Sequence, residues 1–128
     1  MLTGKPCISH LQSAPGTRTL SLRPPDGDEW ELLTAVGYHD DIVDRDAYWV
    51  YTDTKQLDAP FILFTEDTAM GATDYLPLLQ RGSNLATGPI QVLPLLLTHD
   101  VYLKFSLDAI NPGAVVNIYA SWLQRKQQ

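Results

Sequence analysis

Cysteine is almost missing from this chain of 128 residues: Cys7 stands alone. No intrachain disulfide can form, and no Cys/His cluster is on offer for a structural zinc. Histidine is scarce as well, and His10, His39 and His99 stand far apart with no His-x-His pair. Basic side chains are outnumbered, 9 Lys and Arg against 15 Asp and Glu, for a net charge of -6. Neutralising nucleic-acid phosphates takes clustered Lys and Arg. The chain's adjacent basic pair, Arg125-Lys126, sits at its end, so no direct nucleic-acid partner is expected. Long apolar runs are also lacking: the longest, 92–97, is far too short to span a bilayer. The opening residues have no signal-peptide apolar segment, and a soluble protein made in a cytoplasm, with no membrane partner, is expected. No catalytic motif is found anywhere, so the expectation is a protein that is not an enzyme, with no catalytic residues, no cofactor and no metal.

What is present is period two. With 45% hydrophobic and 19% charged residues the chain reads as globular, and its length suits one domain with one core. Val101, Leu103, Phe105 and Leu107 alternate with Lys104 and Ser106, the pattern of a half-buried strand. Asn111-Pro112-Gly113 is a turn signal, and β-branched and aromatic residues over 115–123 supply a second long strand, making a C-terminal hairpin. Further strands are expected over 17–23, 29–38, 47–53, 60–65 and 90–97, with 75–80 open between a short strand and a helical turn. Pro24-Pro25-Asp26-Gly27 reads as a hairpin turn. In the strand that follows it, Trp30, Leu32, Val36 and Tyr38 are expected to share a face. Pro94 marks an edge or a bulge. Strands without βαβ alternation predict an all-β, antiparallel β-sandwich of about eight strands, a jelly roll in preference to an immunoglobulin-like topology. The predicted division is an extended N-terminal arm, 1–17, and a sandwich domain, 18–126.

Three regions invite a function. The arm is read either as a disordered terminus or as a segment that orders on a neighbouring subunit, burying Cys7, Ile8 and Leu11. Strand 47–53 carries aromatics on both faces, which read as core on one side and surface on the other, as a sugar-stacking platform, or as a partner interface, where Trp and Tyr are over-used; Trp49 and Tyr51 are its candidates for that interface. Leu33, Leu123 and Tyr75, the last in a long irregular stretch over 66–89, complete the candidate contact set. His39-Asp40-Asp41-Ile42-Val43-Asp44-Arg45-Asp46 is the most charged piece. Its carboxylates suggest a hard cation, but the spacing fails the EF-hand pattern, and a solvated loop is the better reading. His99-Asp100 reads as a turn rather than half of an acid/base pair, because adjacent residues of a strand face opposite ways.

Arg23-Pro24-Pro25-Asp26-Gly27-Asp28-Glu29-Trp30, Leu97-Thr98-His99-Asp100-Val101-Tyr102-Leu103 and Tyr119-Ala120-Ser121-Trp122-Leu123-Gln124-Arg125 together resemble small decoration (cement) proteins of tailed bacteriophage capsids. The resemblance covers roughly 18–125 as a pattern rather than a strict motif. It implies a jelly-roll-like virion protein, often a homotrimer, that binds the major capsid protein across subunit seams on the capsid surface and stabilises the shell. It carries no fixed contact residues. The rival expectation is a carbohydrate-binding sandwich of a phage tail or host-recognition protein, using stacked aromatics and the acidic 39–46 loop. A cupin-like enzyme is disfavoured by the scattered histidines.

Overall fold

The computed structural model describes residues 4–54, 61–78, 80–81, 90–91 and 94–126. The strands are β1 (Lys5–Gln12), β2 (Thr19–Leu22), β3 (Asp28–His39), β4 (Arg45–Asp53), β5 (Phe61–Met70), β6 (Leu76–Pro77), β7 (Gln80–Arg81), β8 (Ile90–Gln91), β9 (Leu95–Thr98), β10 (Val101–Leu107) and β11 (Val116–Lys126). Sheet I has the order β1-β11-β3, with β6 and β9 end to end along the far edge of β3; sheet II has the order β2-β10-β4-β5. β7 and β8 form a separate ribbon. All of these pairings are antiparallel. Apart from the β4–β5 pair, successive strands of the two sheets alternate between them until the chain reaches the β6 and β9 edge. This interleaving is that of a jelly roll, with its sixth strand divided between β6 and β9.

The topology corrects both expected hairpins. β10 pairs with β2 and β4, whereas β11 pairs with β1 and β3, so the Asn111-Pro112-Gly113 segment carries the chain from sheet II to sheet I. Pro24 to Gly27 does the same between β2 and β3, with Gly27 at a φ of 89°, a value a Cβ disfavours. Turn residues specify a reversal but not the partner across it. Arching sets Leu103, Phe105 and Leu107 opposite Val116, Ile118 and Ala120 across the core instead of beside them in one sheet. Except for Ala120, at 4%, these side chains are fully buried.

The expected arm is an edge strand over 5–12. β1 runs in continuous register with β11, from Lys5 opposite Gln124 to Gln12 opposite Asn117. Cys7 and Leu11 pack against the core, while Ile8, His10 and Gln12 are exposed.

β3 contains a bulge. Ser121 faces Thr34 but Trp122 faces Leu32, so Leu33 is the extra residue. An extra residue switches the faces of everything beyond it. Trp30 and Leu32 point inward, and past the bulge Ala35, Gly37 and His39 take over. Val36 and Tyr38 therefore face outward, contrary to the expectation that they share a face with Trp30 and Leu32. Gly37 has no room for a side chain because the Phe105 ring occupies the space over it. At the other end, Trp30 and Trp122 stack with centroids 4.1 Å apart.

Pro94 immediately precedes β9, where its missing N–H does not interrupt a ladder. Part of the expected irregular stretch is ordered as the end of β5, β6 and β7. The side chains of 61–69, and residues 82–89 altogether, lie outside the described residues, as do 55–60 and 92–93.

Candidate functional site

The eight candidate contact residues do not form one surface. Trp49 is fully buried, its indole N–H donating to the Leu76 carbonyl at 3.0 Å. It is a core residue, not a contact, because the inward side of β4 faces sheet I. Leu123 is buried too, at 7%. Tyr51 packs against the core, and its hydroxyl donates across the sandwich to the Leu96 carbonyl at 3.0 Å. Cys7 and Leu11 point inward, and Leu33 is the half-buried bulge residue. Of the eight, Ile8 at 85% and Tyr75 at 65% exposure are open to a partner.

Two surfaces stand out instead. The first is the 39–46 connection, where Asp40, Asp44 and Asp46 are exposed, as a solvated loop requires, but His39 and Asp41 are not. His39 is fully buried. Its Nδ1 accepts the Asp41 N–H at 3.0 Å, so the ring proton resides on Nε2, facing the Met70 carbonyl. Asp41 is 1% exposed. Its Oδ2 accepts from Arg45 Nε at 3.0 Å and from the Asn111 N–H at 2.9 Å; its Oδ1 accepts from Asn111 Nδ2 at 2.7 Å and from the Val43 N–H at 3.2 Å. Asp40 Oδ1 accepts the Val115 N–H at 2.8 Å. The β3–β4 and β10–β11 connections are thereby joined into one rigid end. The sequence Asp41-Ile42-Val43 then has a physical logic: the carboxylate anchors, and the two residues after it project. Ile42 is 93% exposed and Val43 46%, beside a shallow hollow lined by Asp40, Asn111, Gly113 and Ala114.

The state of Asp41 yields a pH prediction. Burial pushes its pKa up, but the hydrogen bonds from Asn111, Arg45 and Val43 outweigh burial and hold the carboxyl well below its ordinary value. A depressed folded-state pKa stabilises the fold above the unfolded value of about 3.9 and loses that contribution as pH falls toward the folded value. Urea midpoints for the native chain are expected to be flat in Asp41's contribution from pH 7 to about 5 and to fall below about 4. Asp41→Asn lowers the midpoint at pH 7 and flattens the acid limb. An unchanged acid limb in that variant contradicts the assignment.

The second surface is the outer face of sheet I. His10 of β1, Tyr119 of β11 and Tyr38 of β3 bring their rings together there. His10 and Tyr119 stack at 4.4 Å with planes 21° apart, Tyr38 and Tyr119 at 5.8 Å and 17°, and Tyr75 meets Tyr38 edge-on at 5.3 Å. Beneath them Asn117, 3% exposed, accepts through Oδ1 from His10 Nε2 at 2.9 Å and Gln12 Nε2 at 3.2 Å. Since that amide oxygen only accepts, His10 carries a proton on Nε2. Burial, then the Tyr119 hydroxyl, then Tyr75 raise the Tyr38 pKa above the ordinary phenol value, so Tyr38 is uncharged at neutral pH.

His10, Gln12, Tyr38, Asn117 and Tyr119 escape a reading of the sequence alone. The alternation over 5–12 was the available signal for His10 and Gln12, obscured by Pro6 and the small polar Ser9. Tyr38 was expected on the face of Trp30 and Leu32 because a bulge has no reliable sequence mark.

The described residues contain no group of three or more His, Cys, Asp or Glu placed to hold a metal ion, and no helix among them is long and apolar enough to cross a membrane. The chain is a jelly-roll β-sandwich with an apolar loop tip at one end and an aromatic face on one sheet. No family model matches it, and no curated protein sequence matches it.

Proposed function

We propose that this chain is a structural virion protein that decorates the outer surface of a tailed-phage capsid, binding the major capsid protein across subunit seams and stabilising the shell. The observation that carries the reading is the Ile42–Val43 tip. Two adjacent aliphatic side chains stand in solvent at 93% and 46% exposure on a loop fixed by the buried Asp41. A preorganised apolar anchor binds without having to order itself first. A protein that binds an assembled shell and not its free subunits stabilises it by mass action, and that role needs no active site. The resemblance of 18–125 to decoration proteins supports the choice of a shell as the partner and extends the proposal to a homotrimer, assembled after synthesis in a bacterial cytoplasm.

Co-sedimentation with shells lacking this chain tests the proposal. Ile42→Asp is expected to weaken binding by roughly thirtyfold, the equivalent of about 2 kcal/mol. Val43→Asp acts in the same direction. Ile42 makes few contacts within the chain, so the thermal midpoint of Ile42→Asp is expected to stay put. Binding by Ile42→Asp equal to that of the native chain rules out the tip as the anchor.

A further inference from the structure

We infer that the outer face of sheet I is a binding site for neutral carbohydrate, separate from the loop tip and independent of the shell-docking proposal. The site comprises His10, Gln12, Tyr38, Tyr75 and Tyr119, with Asn117 as the buried positioning residue. Pyranose rings offer two recognition features: a face of C–H groups that packs on the π-face of an aromatic ring, and a rim of hydroxyls that each donate and accept. The sheet offers the complement of both. Tyr119 is 49% and Tyr75 65% exposed, so ring surface is available to a ligand. The planes of His10, Tyr38 and Tyr119 lie within 21° of one another, which gives the cluster a common direction.

The polar groups around the rings are of the right kind. His10 and Gln12 are exposed, and both are held in place from below by Asn117. Fixing these side chains in advance removes an ordering cost that flexible amides otherwise incur on binding. Farther along the same face the Thr34 and Ser121 hydroxyls pair at 2.6 Å. Charge narrows the ligand class. The outward residues of this half of the sheet, including Val36, Ile8 and those already named, carry no Asp, Glu, Lys or Arg. The charged residues of this face lie toward its other end, where Arg125 pairs with Glu29 at 2.8 Å and with Glu31 at 3.3 Å. Among the described residues an anionic ligand such as a uronate or a phosphate finds no Lys or Arg at the rings, whereas a neutral sugar needs none.

The test is an NMR and calorimetric titration of the full chain with cellohexaose, maltohexaose, mannohexaose and chitohexaose, with oligogalacturonate as the anionic control. At least one neutral hexaose is expected to bind in the range of about 0.1–5 mM, with shifts centred on the backbone of 8–12, 36–38 and 117–121. Tyr119→Ala and Tyr75→Ala are each expected to weaken binding at least about fivefold, and Ile42→Asp to leave it unchanged. Tyr75 lies outside β1, β3 and β11, so its variant keeps the test valid if Tyr119→Ala fails to fold. No binding of any neutral hexaose, or binding that survives both Tyr variants, overturns the inference. Loss of shell binding in Tyr119→Ala without any sugar binding also overturns it and reassigns the face to a protein partner. Loss of shell binding in Ile42→Asp with sugar binding intact supports the two surfaces as distinct.

Discussion

Trp49→Ala is expected to destabilise the fold by about 3–5 kcal/mol, the range for deleting a large buried aromatic. For a chain of this length that lowers the thermal midpoint by roughly 10–20 °C. Trp49 has no exposed surface, packs on Phe105 with centroids 5.0 Å apart and ties β4 to β6 through the Leu76 carbonyl. Truncation leaves a cavity between the sheets and an unpartnered carbonyl, and each is costly in a dry interior. Trp49→Phe keeps most of the volume but not the donor, so an intermediate loss of about 1–3 kcal/mol is expected. Chemical denaturation of both variants checks the ordering. A midpoint for Trp49→Ala close to that of the native chain contradicts the core assignment and returns Trp49 to the surface. This matters for any functional mutagenesis, because lost shell binding in Trp49→Ala reports unfolding rather than a lost contact.

Gly37→Val is expected to be comparably damaging, by a different route. A Cβ built on Gly37 lies 2.5 Å from the Cδ1 and Cε1 atoms of Phe105, closer than any carbon contact allows. Gly37 does not have a positive φ, so the penalty is steric and not conformational. Overpacking a tight core costs typically about 1–3 kcal/mol and occasionally more, and Phe105 is fully buried with little room to retreat. Gly37→Ala should show a smaller loss in the same direction, although alanine in an open strand position is ordinarily an improvement over glycine. Phe105→Leu in the Gly37→Ala background is expected to recover part of that loss, giving a favourable coupling in a double-mutant cycle. Additive losses in the cycle contradict the contact. Gly37 adjoins Tyr38 in the chain, so a shifted β3 backbone also disturbs the aromatic face, and weaker sugar binding should accompany the lower stability.

The fold class was legible because period-two patterning is strong in β3, β4, β10 and β11, and because no stretch carries helical spacing. Strand number and long cross-connections made a jelly roll the preferred topology. The pairings did not: Asp26-Gly27 and Asn111-Pro112-Gly113 look alike whether the chain pairs beside itself or arches over the core. The bulge at Leu33 was invisible, and with it the outward direction of Val36 and Tyr38. The acidic 39–46 stretch misled by composition, since one carboxylate, Asp41, turned inward to meet Arg45 and Asn111 and left the two aliphatic residues in solvent. Aromatic content flagged Trp49 and Tyr51, yet large aromatics serve cores as readily as surfaces. The aromatic face is assembled from β1, β3, β11 and the residue before β6, which are distant in sequence, so only the topology brings its rings together.

The most direct measurement of the central claim is quantitative mass spectrometry of particles purified from the source, counting this chain against the major shell protein. A decoration role predicts a copy number comparable with that of the shell protein, as one chain or one trimer at each repeated lattice position requires. Absence from the particle, or a few copies per particle, contradicts it.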